Sequence, residues 1–156
     1  AYDPAASAAA LDALGWRDAD GDGVRERGGR PLRFRLLVPT TSQVRQRLAV
    51  LVQAQLAQIG AKVEVETADP AAFGAAVQGG KYDAVLNAWH ADPAPSAILQ
   101  QWGAPGAAGR GSANIAGYQS RAFDALVDSA AAAGDGPAAT ALWGRAYATL
   151  ADDAPA

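Results

Sequence analysis

Apolar positions recur along this 156-residue chain with two periods, and the switches between them divide it into elements. Asp3-Pro4 supplies a cap and a proline suited to a first helical position, and Leu11 and Leu14 share a face until Gly15, which predicts a short opening helix. Residues 18–30, dominated by Asp, Gly and Arg, show no apolar period and read as an exposed run of turns. Phe34, Leu36 and Val38 alternate with Arg33 and Arg35 up to Pro39, as a strand requires. Thr40 and Gln43 have capping-box spacing, and Val44, Leu48, Leu51, Val52, Leu56 and Ile59 then follow at helical steps to Gly60. Val63, Val65 and Thr67 alternate with Lys62, Glu64 and Glu66, predicting a half-exposed strand. Asp69-Pro70 opens a second helix with Phe73, Ala76 and Val77 on one stripe, closed by Gly79-Gly80.

From Tyr82 to Trp89 the chain is nearly all apolar, which predicts a central strand covered on both faces. Strands alternating with helices at these lengths predict an α/β fold: a three-layer open sheet with right-handed crossovers and helices on both faces, in one domain over 1–156. Residues 93–117, rich in Gly, Ala and Pro, predict a long surface loop with one helical turn at Ile98 to Trp102. Two helices follow, one with Phe123, Leu126 and Val127 after Ser120, the other with Leu142, Ala146, Tyr147 and Leu150 after Gly136-Pro137.

Composition narrows the chemistry. Half the residues are hydrophobic, enough for a core, yet no stretch reaches the roughly 18 apolar residues of a membrane span. The absence of Met predicts a processed form or fragment of a longer protein. A net charge of -3, with Lys62 and Lys81 as the only lysines, gives no basic stripe and argues against a nucleic-acid partner. Without Cys there is no disulfide, thiolate metal site or thiol nucleophile.

Ligands collect at the carboxyl ends of strands in open α/β sheets, which directs attention to residues 89–95. There Trp89 offers an aromatic platform, His90 ring nitrogens, and Asp92, followed by Pro93, a carboxylate able to pair with an ammonium group. The plainer alternative makes Trp89 a core residue, His90 a solvated turn and Asp92 a helix cap. Asp18, Asp20, Asp22 and Gly23 carry the first half of a calcium-loop pattern, but Gly29 stands where the bidentate Glu belongs, leaving a weak calcium site or a solvated turn. One His and no Cys leave little for catalysis. A small α/β hydrolase-like enzyme would have to use His90, and a calcium-stabilised interaction domain is the other rival to a binding module.

In order along the chain, Tyr2-Asp3-Pro4 through Leu14-Gly15-Trp16, the acidic turn from Asp18 to Glu26, Pro31 to Leu37, Lys81-Tyr82-Asp83-Ala84 through Trp89 to Asp92-Pro93, Gly117-Tyr118 with Phe123-Asp124-Ala125-Leu126, and Ala151 to Pro155 resemble the C-terminal lobe of the oligopeptide/dipeptide/nickel-type solute-binding proteins of ABC importers. The resemblance implies one lobe of a periplasmic-binding-protein type II clamshell that closes on a peptide or similar small solute. Its implied partners are the N-terminal lobe of the same protein and ABC permease subunits, and its implied location is extracytoplasmic, in a periplasmic or membrane-anchored lipoprotein parent. The expected mechanism is capture and hand-over rather than bond-making, so no enzymatic activity is expected, and no cofactor other than the calcium that the acidic turn leaves open. In peptide-binding members the Asp matching Asp92 receives the peptide's α-amino group and the Trp matching Trp89 lines the same pocket, so Asn87, Trp89, His90 and Asp92 are the expected ligand-binding set. Two positions depart from the pattern: Leu86 stands where a peptide-binding relative has Arg near the ligand, and Arg121 replaces a common Pro.

Overall fold

A computed structural model describes residues 2–88, 94, 97–105 and 113–155. Where one domain is predicted, contacts gather in two compact units, Ala1–Ala88 and Trp89–Ala156. The first unit contains α1 (Pro4–Ala13), β1 (Glu26–Arg27), β2 (Arg30–Pro31), β3 (Arg33–Pro39), α2 (Gln43–Ala57), β4 (Lys62–Ala68), α3 (Pro70–Gln78) and β5 (Ala84–Val85).

β3, β4 and β5 form a parallel sheet in the order β4-β3-β5. The step from β3 to β4 runs one way across the sheet and the step from β4 to β5 runs back past β3. Parallel crossovers are right-handed with few exceptions, and two that run in opposite directions across a sheet put their helices, here α2 and α3, on opposite faces, the layering that the alternating pattern predicts. On one face Leu36, Val38 and Val63 close over Ala49 of α2, with Phe34, Val52, Leu56, Val65, Ala84 and Leu86 packed around them. The other face carries buried Leu37 and, nearer the strand starts, charges paired across the strands: Arg33 with Glu64 at 3.5 Å, and Arg35 with Glu66 at 3.7 Å and Asp83 at 3.3 Å.

Three details depart from the sequence pattern. The apolar run starting at Tyr82 is not the central strand: β3 has a partner on each side, and β5 pairs with it over two residues at the edge of the described sheet. Apolar content there reflects packing of Ala84 and Leu86 onto the α2 layer, and a short apolar run alone does not fix a strand's place. The cap of α2 is Ser42 rather than Thr40, its hydroxyl accepting from the Arg45 amide at 3.4 Å. The run of turns also contains a hairpin, β1 with β2, whose two-residue strands are too short to alternate visibly.

In the second unit the described elements are α4 (Ile98–Trp102), α5 (Arg121–Ala132) and α6 (Pro137–Asp153). Ser120 caps α5 as predicted, and Phe123, Val127 and Ala130, one and two turns apart, form its buried stripe. Phe123 and Val127 make a second core with Ile98 and Ala146, bordered by Leu99, Trp102, Tyr118, Leu126, Trp143 and Leu150. The segment expected as surface loop therefore contributes a core residue, Ile98, and Asn114 ties its later part together through hydrogen bonds to the Gly103 and Tyr118 carbonyls. No described helix is long and apolar enough to cross a membrane.

Candidate functional site

Because all three strands are parallel, their carboxyl ends meet at one edge of the first unit. Pro39 is in register with Ala68, and the Thr40 amide donates to the Ala68 carbonyl at 2.8 Å, holding the first two exits together. α2 and α3 begin at this edge. Asp69 caps α3, its carboxylate accepting from the Ala71 and Ala72 amides at 2.9 and 3.0 Å, and Gln46 donates to the Thr40 carbonyl at 2.9 Å. The third exit is fixed by the Leu86 amide donating to Leu37, and it delivers half-buried Asn87 to the same edge. Of the predicted ligand-binding set, Asn87 is thus at the carboxyl edge; Trp89, His90 and Asp92 lie outside the described residues. Ser42 and Asp69 also reach this edge. In the sequence they carry only a capping signal, and their neighbourhood becomes legible once the strand order is known.

The acidic turn lies near the opposite edge. Asp18, Asp20 and Asp22 each bring a carboxylate oxygen within 4.8 Å of the others, and all three are exposed. Asp18 accepts from the Gly21 and Gly23 amides at 2.8 and 2.9 Å, Asp20 from Asp22 at 3.1 Å, and Asp22 from Val24 at 2.8 Å. Glu26 accepts from the Ala19 amide at 2.7 Å. The residues fit a hard cation in donor type, but their oxygens already close the turn on its own backbone.

Next to this turn Arg25 joins three segments. Its Nε donates to the Ile59 carbonyl at 2.8 Å, and its Nη1 to the Trp16 carbonyl at 2.7 Å and to the Asp12 carboxylate. Those contacts border a shallow polar depression lined by Asp12, Arg17, Asp18, Gly23, Arg25 and Gly60. Seven residues of β4 separate Gly60 from Asp69, on the order of 20 Å, so this hollow is not the predicted ligand edge. The hydrogen bond from Arg25 holds the Asp12 carboxyl below its ordinary value, and the backbone amide of Arg35, followed by its guanidinium, does the same for Asp83.

Parallel strands with helices between them and loops gathered at one strand edge define an open α/β lobe, a class in which ligands ordinarily sit at the carboxyl edge. The chain belongs to the bacterial extracellular solute-binding proteins, family 5, whose Middle model matches residues 1–110. It is 30% identical over 105 residues to the nickel-binding periplasmic protein of Escherichia coli (strain K12), a match covering 67% of this chain and 20% of that protein. The oligopeptide-binding protein AppA of Bacillus subtilis, solved with a nonapeptide, superposes with a TM-score of 0.83 at 24% identity, over 99% of this chain and 30% of that one. A periplasmic oligopeptide-binding protein of Thermotoga maritima, solved with mannohexaose bound, gives 0.88 at 22% identity, over 99% and 30%. The chain spans a fifth of the nickel-binding relative's length and under a third of these two solved proteins.

Proposed function

We propose that this chain is the solute-capturing lobe of an ABC importer's binding protein, acting outside the cytoplasm. In this reading it holds a small solute at the carboxyl edge of the β4-β3-β5 sheet and, with the N-terminal lobe of the longer protein, hands it to the permease. The observation that carries the reading is the convergence of the three strand exits with the starts of α2 and α3 at one edge, which Asn87 reaches. In this reading Asp92, which follows Asn87 by five positions in the sequence, is the anion for a cationic end group and Trp89 a stacking wall. A buried carboxylate–ammonium pair is charge-assisted and worth more than a neutral hydrogen bond.

Capture and release is the mechanism; no bond is made or broken, and no cofactor is required. Replacing Asp92 by Ala in the longer protein is expected to weaken binding of an amine-bearing peptide by roughly 2–5 kcal/mol, read by calorimetry. Unchanged affinity would remove Asp92 from the site. The similar proteins named above are described with nickel, a nonapeptide and mannohexaose, so the solute class is best read by mass spectrometry of whatever co-purifies. Turnover of a broad ester and amide panel that disappears in His90→Ala would replace this reading with the hydrolase-like one.

A further inference from the structure

α1 buries nothing. None of its residues is fully covered, only Pro4, Ala8 and Leu11 are even half-buried, and the apolar side chains flanking it, Tyr2 and Leu14, are 66% and 60% exposed. At ten residues it is also shorter than the roughly 12–15 that an isolated helix needs to persist in water. What holds it is polar and local to its two ends: the Tyr2 hydroxyl donates to Gln58 Oε1 at 3.0 Å, and Asp12 receives Arg25. Arg25 itself is anchored independently of α1. Its amide donates to the Gly60 carbonyl at 2.8 Å, its carbonyl accepts from Leu32 at 2.6 Å, and its Nε is fixed on Ile59. The Arg25 side chain is 15% exposed whereas that of Asp12 is 50% exposed, so the clasp has a fixed half on the sheet side and a solvent-facing half on the helix.

We infer that α1 is a strap that opens from the rest of the unit while the sheet stays folded, with the Arg25–Asp12 contact as its clasp. Opening breaks the Tyr2–Gln58 and Asp12–Arg25 contacts, removes one wall from the polar depression beside Arg25, and leaves the bonds from Arg25 to Ile59 and Trp16 in place. The strap thus gives the chain a movable element at the amino edge of its sheet. Elements with little buried apolar contact open with lower free energy than the core they rest on.

Hydrogen exchange of the 156-residue chain, followed by mass spectrometry at several low denaturant concentrations, tests this. Amides of α1 are expected to exchange on the order of 100-fold faster than those of Leu36 to Val38, with little dependence on denaturant, as local opening requires. Asp12→Ala is expected to speed α1 a further ~10-fold and leave β3 exchange unchanged, and Tyr2→Phe, which keeps the ring, to have a smaller effect in the same direction. β3 serves as the internal control for folding in each variant. Protection of α1 equal to that of β3, or α1 rates that do not respond to Asp12→Ala, would overturn the inference.

Discussion

The Arg25 guanidinium can reach Ile59 only because the residue beside its path has no side chain. A Cβ on Gly60 would lie 2.6 Å from the Arg25 Cγ, and Gly60 also has a φ of +80°, which L side chains seldom adopt. Gly60→Ala therefore carries two costs: about 1–2 kcal/mol for the left-handed backbone, and a further steric part from displacing Arg25. Urea denaturation is expected to show the steric part disappearing in the Arg25→Ala background, as coupling between touching residues demands. Asp12 and Asp83 are carboxyls held below their ordinary value by Arg25 and Arg35, and they contribute to the acid behaviour. A carboxyl held below its unfolded value contributes stability that is complete above that value and is lost as pH falls through the folded one. Melting temperature is therefore expected to drop below the ordinary carboxyl value of 3.8, and Asp12→Asn with Asp83→Asn to shallow that drop. For the acidic turn, whose carboxylates already accept backbone amides, millimolar calcium is expected to move the melting temperature by less than about 1 °C, a small fraction of a kcal/mol. Saturable heat with a raised melting temperature would instead establish a calcium loop.

Helix starts and stripes were largely legible, and where they were not, the competing signal can be named. Thr40 and Gln43 have the capping-box interval, yet Thr40 is occupied in the strand ladder through its amide and Ser42 takes the cap. Ser42→Ala is expected to cost about 0.5–2 kcal/mol in chemical denaturation and Thr40→Ala less, a difference that the sequence alone assigns the other way round. Along α2 the apolar arc is wider than the surface it covers. Ala49, Val52 and Leu56 meet the sheet, whereas Val44 and Leu51 remain 69% and 57% exposed. Periodicity reports which residues are apolar and not how much of the arc finds a partner. On α5, Phe123, Leu126 and Val127 are all recovered in the core, because Ser120 fixes the register of the helix from its first turn. Val127→Ala is expected to destabilise that core by about 2–4 kcal/mol, measured by loss of exchange protection along α5.

At the scale of the molecule, the alternation of elements was enough to give the α/β class and its layers, since crossover handedness leaves few topologies. Strand order was not readable: nothing in the run from Tyr82 distinguishes a middle position from a two-residue pairing beside β3. Of the candidate site, the sequence pointed to an exit at residues 89–95, past a strand drawn to Trp89, whereas β5 ends at Val85; that the starts of α2 and α3 at Ser42 and Asp69 share the carboxyl edge follows only from the parallel pairing. Under the clamshell proposal, solute is buried between two surfaces, so this chain alone is expected to bind an amine-bearing peptide far more weakly than the longer protein. Comparable affinity by calorimetry would contradict a two-surface site.

β4 is an outer strand of the described sheet, seven residues long, with Val63 and Val65 on its core side. A bare rim of that length is a template onto which other chains could add. Lys62, Glu64 and Glu66 stand along it, and the exposed pairs of Glu64 and Glu66 with Arg33 and Arg35 contribute little to folding free energy. The expected consequence is colloidal: Glu64 and Glu66 brought against the same residues of another copy repel, which disfavours edge-to-edge association. Glu64→Thr with Glu66→Thr is expected to leave the melting temperature nearly unchanged while shortening the lag before thioflavin-positive aggregates form.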